Sequence, residues 1–231
     1  MKLIEAAGIV IIIPLTSRVD HHGSQPVCDA PSTVYAERAV RQLPEGFVHL
    51  ADVDATIQQE VRYAGEGNFV GRPIAGYESP VIILTAVAAK ALSNVQTMLK
   101  ARSQGKYTLR VYDGYSTLRA VADFVTWGQD LTDQKMKSQY YPRIEHKSAL
   151  FKGYIAKKYA HSRGSTVDLT MVDDKGQLLD MGSPFDLLDA LSHYENDQIS
   201  EQAQENRRYL RELMVAHGLV PCDKESLYTP R

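Results

Sequence analysis

Apolar residues fall at helical spacing from Ile82 to Ala101: Leu84, Val87, Ala88, Leu92, Val95, Met98 and Leu99. The spacing predicts one long amphipathic helix with the stripe Leu84, Val87, Leu92, Val95 and Leu99 in the core. Gln104-Gly105 closes it, and Lys100 and Arg102 suit the negative end of its dipole. A second long helix is predicted over Glu201–His217, with Ala203, Leu210, Leu213, Met214 and His217 along one side and Gly218 just past its end. The charged run Glu201–Glu212 then forms its solvated face. Arg119–Trp127 predicts a shorter helix with Val121, Phe124 and Val125 facing the core and Trp127 as a packing residue. The period drops to two at Tyr107–Tyr112 and Val167–Val172, as in strands. Short strands are also expected at Phe47–Leu50 and within Leu219–Arg231. Two long helices and several short strands in mixed order predict an α+β domain rather than a regular βαβ array.

The stretch His161-Ser162-Arg163-Gly164-Ser165-Thr166-Val167-Asp168 carries the most chemistry. In a half-buried strand over Val167–Val172, Asp168 and Thr170 share one face and Val167, Leu169 and Met171 the other. Gly164 allows a turn that folds His161 back towards Asp168. A neutral imidazole and a carboxylate converging on one point suit a zinc ion. A catalytic zinc takes three protein ligands and this stretch offers two, so a His–Asp hydrogen bond in a structural turn is the other reading. Downstream, Asp173-Asp174-Lys175-Gly176 is a turn signal that would pair Val167–Val172 with Gln177–Met181.

Composition narrows the class. The chain has 231 residues and a net charge of −2, enough length for a substantial core and no broad basic field for nucleic acid. No run of about 20 apolar residues marks a membrane span. Cys28 and Cys222, far apart and without a CxxC, exclude an all-cysteine zinc site; pairing between them is expected only if the protein is exported. Ala6–Leu15 is long enough for the apolar part of a signal segment, yet Glu5 flanks it and no A-x-A site follows, so periplasmic and cytoplasmic locations both stay open. Residues 16–40 read as a linker. The chain thus divides into an N-terminal extension, 1–46, and a domain, 47–231. Oligomeric state is not legible.

Several pieces converge on one family. They are Arg62-Tyr63-Ala64, Asn68-Phe69-Val70-Gly71, Gly76-Tyr77, Asp113-Gly114-Tyr115 with Arg119-Ala120-Val121, and Tyr140-Tyr141-Pro142. Lys152-Gly153-Tyr154, His161 to Ser165 with Asp168-Leu169-Thr170, Met181-Gly182-Ser183 with Phe185-Asp186, Ser192-His193 and Asn206-Arg207-Arg208 follow in order. From about residue 47 to 228 the chain resembles the D-alanyl-D-alanine dipeptidases, a zinc peptidase family. The resemblance implies a small, mainly antiparallel sheet packed against helices, with the site at its open edge. It implies one zinc ion, a small dipeptide substrate, His161 and Asp168 as ligands, Asp186 as partner of the substrate ammonium, and Asp113 as a site aspartate that orients its neighbours. A related zinc D,D-carboxypeptidase shares this logic, but the agreement over Asn68–Gly71 and Met181–Asp186 favours the dipeptidases.

The chain departs from the family pattern at important positions. Asp-Gly-Tyr-Arg-Pro becomes Asp113-Gly114-Tyr115-Ser116-Thr117, so Ser116 stands where an oxyanion-stabilising arginine is expected. Loss of one such donor typically costs about 10²–10³ in rate. The closing Glu-Trp-Trp-His becomes Glu225-Ser226-Leu227-Tyr228, which keeps the general base as Glu225 and puts Tyr228 at the third ligand position. Tyrosine is not a usual zinc ligand. Tyr159 replaces a serine two residues before the zinc histidine and is expected to reshape the substrate pocket. These changes leave three readings open: a working dipeptidase with a modified site, a pseudoenzyme that binds D-amino-acid dipeptides, or a relative with an altered C-terminus.

Overall fold

A computed structural model describes residues 11–12, 43–152 and 160–221. In chain order the elements are β1 (Ile11–Ile12), β2 (Phe47–His49), α1 (Leu50–Val53), β3 (Gln58–Gln59), β4 (Ile83–Thr85), α2 (Ala86–Arg102), β5 (Tyr107–Asp113) and α3 (Leu118–Gln129). Then come α4 (Lys137–Tyr140), β6 (Asp168–Asp173), α5 (Glu201–Ala216) and β7 (Val220–Pro221). Single 3-10 turns at Arg62–Ala64, Lys147–Lys152, Ala160–Arg163 and Ala190–Ser192 punctuate the loops.

The central sheet has the order β3-β5-β6, with β5 and β6 antiparallel and β3 parallel to β5. β2 pairs antiparallel with β4, and β1 with β7. This is the expected α+β arrangement, with small and mainly antiparallel sheets. Leu109, Val111, Leu169 and Met171 of the central strands are buried with Leu92, Val95 and Leu99 of α2 and with Leu210, Leu213 and Met214 of α5. A second, aromatic cluster gathers Tyr63, Phe69, Phe124, Trp127, Tyr140 and Tyr141. Burying such side chains contributes roughly 1.5–3 kcal/mol each.

Several sequence expectations are corrected. The helix predicted from Ile82 begins at Ala86, because β-strand pairing claims Ile83–Thr85 and the Thr85 hydroxyl accepts the Ala88 N–H as an N-cap. Leu84 is therefore a strand residue. Val87 leaves the expected core stripe and is 64% exposed, since it sits about 100° around the helix from buried Ala88. Strand β6 is buried on both faces rather than one. Its predicted hairpin forms only as a short ladder: Asp173 N–H donates to the Gln177 carbonyl and Leu179 N–H to that of Met171. Arg207, assigned to a solvated helix face, is 5% exposed.

Candidate active site

The site sits where β5 and β6 end together. The register brings Asp113 opposite Asp168, and a bulge between Val111 and Asp113 shifts the ladder there. A bulge re-aims the side chain that follows it. Gly114 comes next. A Cβ there would lie 2.8 Å from the Ile83 carbonyl, so only glycine lets β5 pass this close to β4. The turn Ala160–Arg163 presents His161, and Gly164, at φ 69°, reverses the chain into β6 as expected.

His161 is held from both sides. Its Nδ1 lies 2.8 Å from the Gly114 carbonyl and 3.1 Å from Asp113 Oδ2. A carbonyl only accepts, so Nδ1 carries a proton, and Nε2 is the nitrogen whose lone pair a metal would take in place of a proton. Nε2 faces Asp168 Oδ1 at 3.4 Å. Two donor atoms each about 2.1 Å from a tetrahedral ion stand about 3.4 Å apart, so this spacing also suits a shared metal. One ligand atom from each of Asp113, His161 and Asp168 lies within 4.8 Å of the others.

Asp113 is fully enclosed. Its Oδ1 accepts from the Tyr77 hydroxyl at 2.7 Å and from Gly114 N–H at 2.8 Å, and its Oδ2 faces the Ser116 hydroxyl at 3.3 Å. Ser116 is also buried, with its oxygen 2.7 Å from that of Tyr77. Asp186 lies in the loop after β6, with its backbone at φ 60° and its side chain buried. Aspartate is one of the few residues that tolerate this left-handed conformation. The Tyr63 hydroxyl donates to Asp186 Oδ1 at 3.1 Å, while Oδ2 has no hydrogen-bond partner. The Tyr63 ring is in turn centred 5.4 Å from that of Tyr77 and 6.4 Å from that of Phe185.

The electrostatics follow from three buried carboxylates. Burial, helped by the Asp168 charge, raises the Asp113 carboxyl to about 6, against the pull of His161. Burial alone would lower the His161 pKa, but Asp168 and Asp113 outweigh it and raise it to about 10. Burial and the charges of Asp168 and Asp113 push Asp186 well above the ordinary carboxylate range, against the Tyr63 hydroxyl and Arg62. The cluster therefore favours a cation between Asp113, His161 and Asp168, and a second positive group at Asp186.

A family model described as D-ala-D-ala dipeptidase, of peptidase family M15, matches residues 44–225. The chain belongs to the D-Ala-D-Ala dipeptidase family. It is 39% identical over 177 residues to a D-alanyl-D-alanine dipeptidase of Enterococcus faecalis, covering 76% of this chain and 86% of that one. It is 35% identical to the Streptomyces coelicolor protein of the same name over 175 residues, 75% of this chain and 85% of that one. Identity to the Escherichia coli protein of that name is 30% over 179 residues, 78% and 81% of the two chains. Members of this family are metallopeptidases, and the buried Asp113, His161 and Asp168 group has the donor chemistry to hold a metal.

Five of the eight residues singled out in the sequence come together in this dipeptidase fold: Asp113, Ser116, His161, Asp168 and Asp186. The other three, Tyr159, Glu225 and Tyr228, lie outside the described residues, as do Cys28 and Cys222. Sequence reasoning missed the parts of Tyr63 and Tyr77, whose hydroxyls orient two of the site carboxylates. Both tyrosines lie in the pieces that carry the family resemblance, and that was the available signal. Among the described residues no helix is long and apolar enough to cross a membrane.

Proposed function

We propose that this chain hydrolyses the D-alanyl-D-alanine dipeptide with one zinc ion. The observation that supports this most is the buried His161 Nε2–Asp168 Oδ1 pair, 3.4 Å apart, the spacing of two ligands on one tetrahedral ion. When bound, zinc would polarise the peptide carbonyl and acidify a water. His161 and Asp168 would hold it, with Gly114 fixing the imidazole tautomer through its carbonyl.

The chain's own residues supply the rest. Asp186 Oδ2, buried and without a hydrogen-bond partner, accepts the dipeptide's ammonium. Tyr63 aims that carboxylate from the other side. Glu225 takes the proton of the attacking water and passes it to the leaving amine. Tyr159, at a position where the family has a serine, would alter substrate fit.

A second reading, a chain that binds the dipeptide and does not turn it over, is favoured by Ser116. Its hydroxyl is fully buried and turned to Tyr77 and Asp113, so it does not reach out as the missing arginine would. Hydrolysis of D-Ala-D-Ala by the zinc-loaded protein, beside Glu225→Ala, separates the two. Turnover that disappears in the variant supports the dipeptidase. Dipeptide binding by calorimetry with no turnover above the variant supports the second reading.

A further inference from the structure

We propose that Arg207 is a positioning residue for the dipeptide's ammonium, because its guanidinium joins the two ends of the loop that carries Asp186. This rests on reading Asp186 as the ammonium partner, and it adds a residue that touches neither substrate nor metal.

The neck of the loop gives the first argument. Between β6 and α5 the chain passes Met181, carries Asp186 and comes back past Leu191 and His193. One side chain of α5 spans that neck. Arg207 Nε donates to the Met181 carbonyl at 2.7 Å, Nη1 to that of His193 at 2.6 Å and Nη2 to that of Leu191 at 3.0 Å. The residue is buried, so water cannot readily take over these bonds if the guanidinium is lost. Asn206 beside it donates to the Asp180 carbonyl at 2.8 Å, and the Ser200 hydroxyl donates to Asp180 Oδ2 at 2.8 Å. The first two turns of α5 thus grip the loop where it starts and where it ends.

The backbone of Asp186 gives the second. Its φ of 60° lies in the left-handed region. A side chain persists there only where its surroundings over-determine it, and such positions gather at ligand sites. The neighbours of Asp186 are held. The Phe185 ring lies 4.4 Å from that of Tyr112, and Leu188 N–H donates to the Tyr140 carbonyl at 2.7 Å. Arg207 supplies the remaining constraint, at the neck.

The carboxylate itself completes the case. The Tyr63 hydroxyl holds Oδ1, whereas Oδ2 is buried without a hydrogen-bond partner. The direction of Oδ2 is therefore set by the backbone that carries it, and that backbone is set by the loop's two ends. Only a planar fork can reach three carbonyls at once; a lysine ammonium is a single point of charge.

The test is calorimetry of D-Ala-D-Ala on the zinc-loaded full-length protein carrying Glu225→Ala, so that no turnover intrudes. Arg207→Lys and Asp186→Asn are added singly and together, with folding checked by circular dichroism. Asp186→Asn gives up a charge-assisted hydrogen bond and should weaken binding about 10–100-fold. Arg207→Lys keeps the charge and loses the fork, and should weaken binding about tenfold. The double variant should bind within about twofold of Asp186→Asn alone, because a residue acting through Asp186 then has nothing left to position. A merely structural role would instead multiply the two losses. Asn206→Ala is the milder variant of the same clamp and decides the matter if Arg207→Lys does not fold. It should weaken binding about threefold, and this loss too should vanish beside Asp186→Asn. Multiplied losses, or unchanged binding in the clamp variants, overturn the proposal and leave the ammonium reading standing. No binding by the parent protein, or no loss in Asp186→Asn, overturns both.

Discussion

Two buried polar regions of this protein are built in opposite ways. Around Asn68 every hydrogen-bonding group is used. Its amide nitrogen donates to the carbonyls of Gly65, Arg72 and Arg62, and its oxygen accepts from Val70 and Gly71. Arg207 is similar: it reaches the carbonyls of Met181, Leu191 and His193 and ties down both ends of the loop that carries Asp186. In the site at the ends of β5 and β6, by contrast, Asp186 Oδ2 is buried without a hydrogen bond. A protein interior rarely leaves such a group open unless a ligand fills it. The first kind of site holds the fold together. The second gives up stability to keep donor atoms ready.

The comparison can be broken most severely at the metal. Chelation of zinc, or His161→Ala, should lower D-Ala-D-Ala turnover at least 10³-fold, several kcal/mol of barrier, with little change in the far-ultraviolet dichroism. Survival of more than a tenth of the activity after chelation would remove the pocket from the chemistry. The next largest effect belongs to the satisfied site. Asn68→Ala orphans several buried backbone groups and should cost about 3 kcal/mol in urea unfolding. A loss under about 1 kcal/mol would show that this network is dispensable.

Asp168→Asn should abolish turnover and, in the metal-free protein, bring the His161 pKa down from about 10, because the carboxylate that holds the buried imidazolium is gone. An unshifted His161 titration by NMR would mean that Asp168 does not act on the imidazole. The smallest effect is expected at the surface. Arg72 makes a bidentate pair with Asp123 at 2.7 Å and holds its carboxyl below the usual range. A depressed carboxyl stabilises above its unfolded value, near 4, and loses that contribution as pH falls through the folded value. Arg72→Ala should therefore shrink the stability difference between pH 7 and pH 3 by only about 0.5 kcal/mol, because Arg72 is nearly half exposed.

The fold class and the helices were legible because periodicity reports burial, as Leu92, Val95 and Leu99 show. The start of α2 was not. Ile82–Thr85 fits a helical stripe and a strand equally well, and its pairing with Phe47–His49 across more than thirty residues decided the matter. The His161–Asp168 pair was legible because a glycine turn and a strand fix it locally. The approach of Asp113 to that pair depends on a bulge and a strand register, which no local spacing reveals. Asp186 was recognisable only through family resemblance, since the Tyr63 hydroxyl that aims it lies 123 positions away. Arg207 looked like one more charge on a solvated face, and its burial follows from the loop folded over it.

The most direct measurement is the steady-state hydrolysis of D-Ala-D-Ala by the zinc-loaded full-length protein, with Glu225→Ala beside it. The account predicts turnover that depends on zinc and is lost in the variant. Equal release of alanine by both proteins, or none by either, would contradict it.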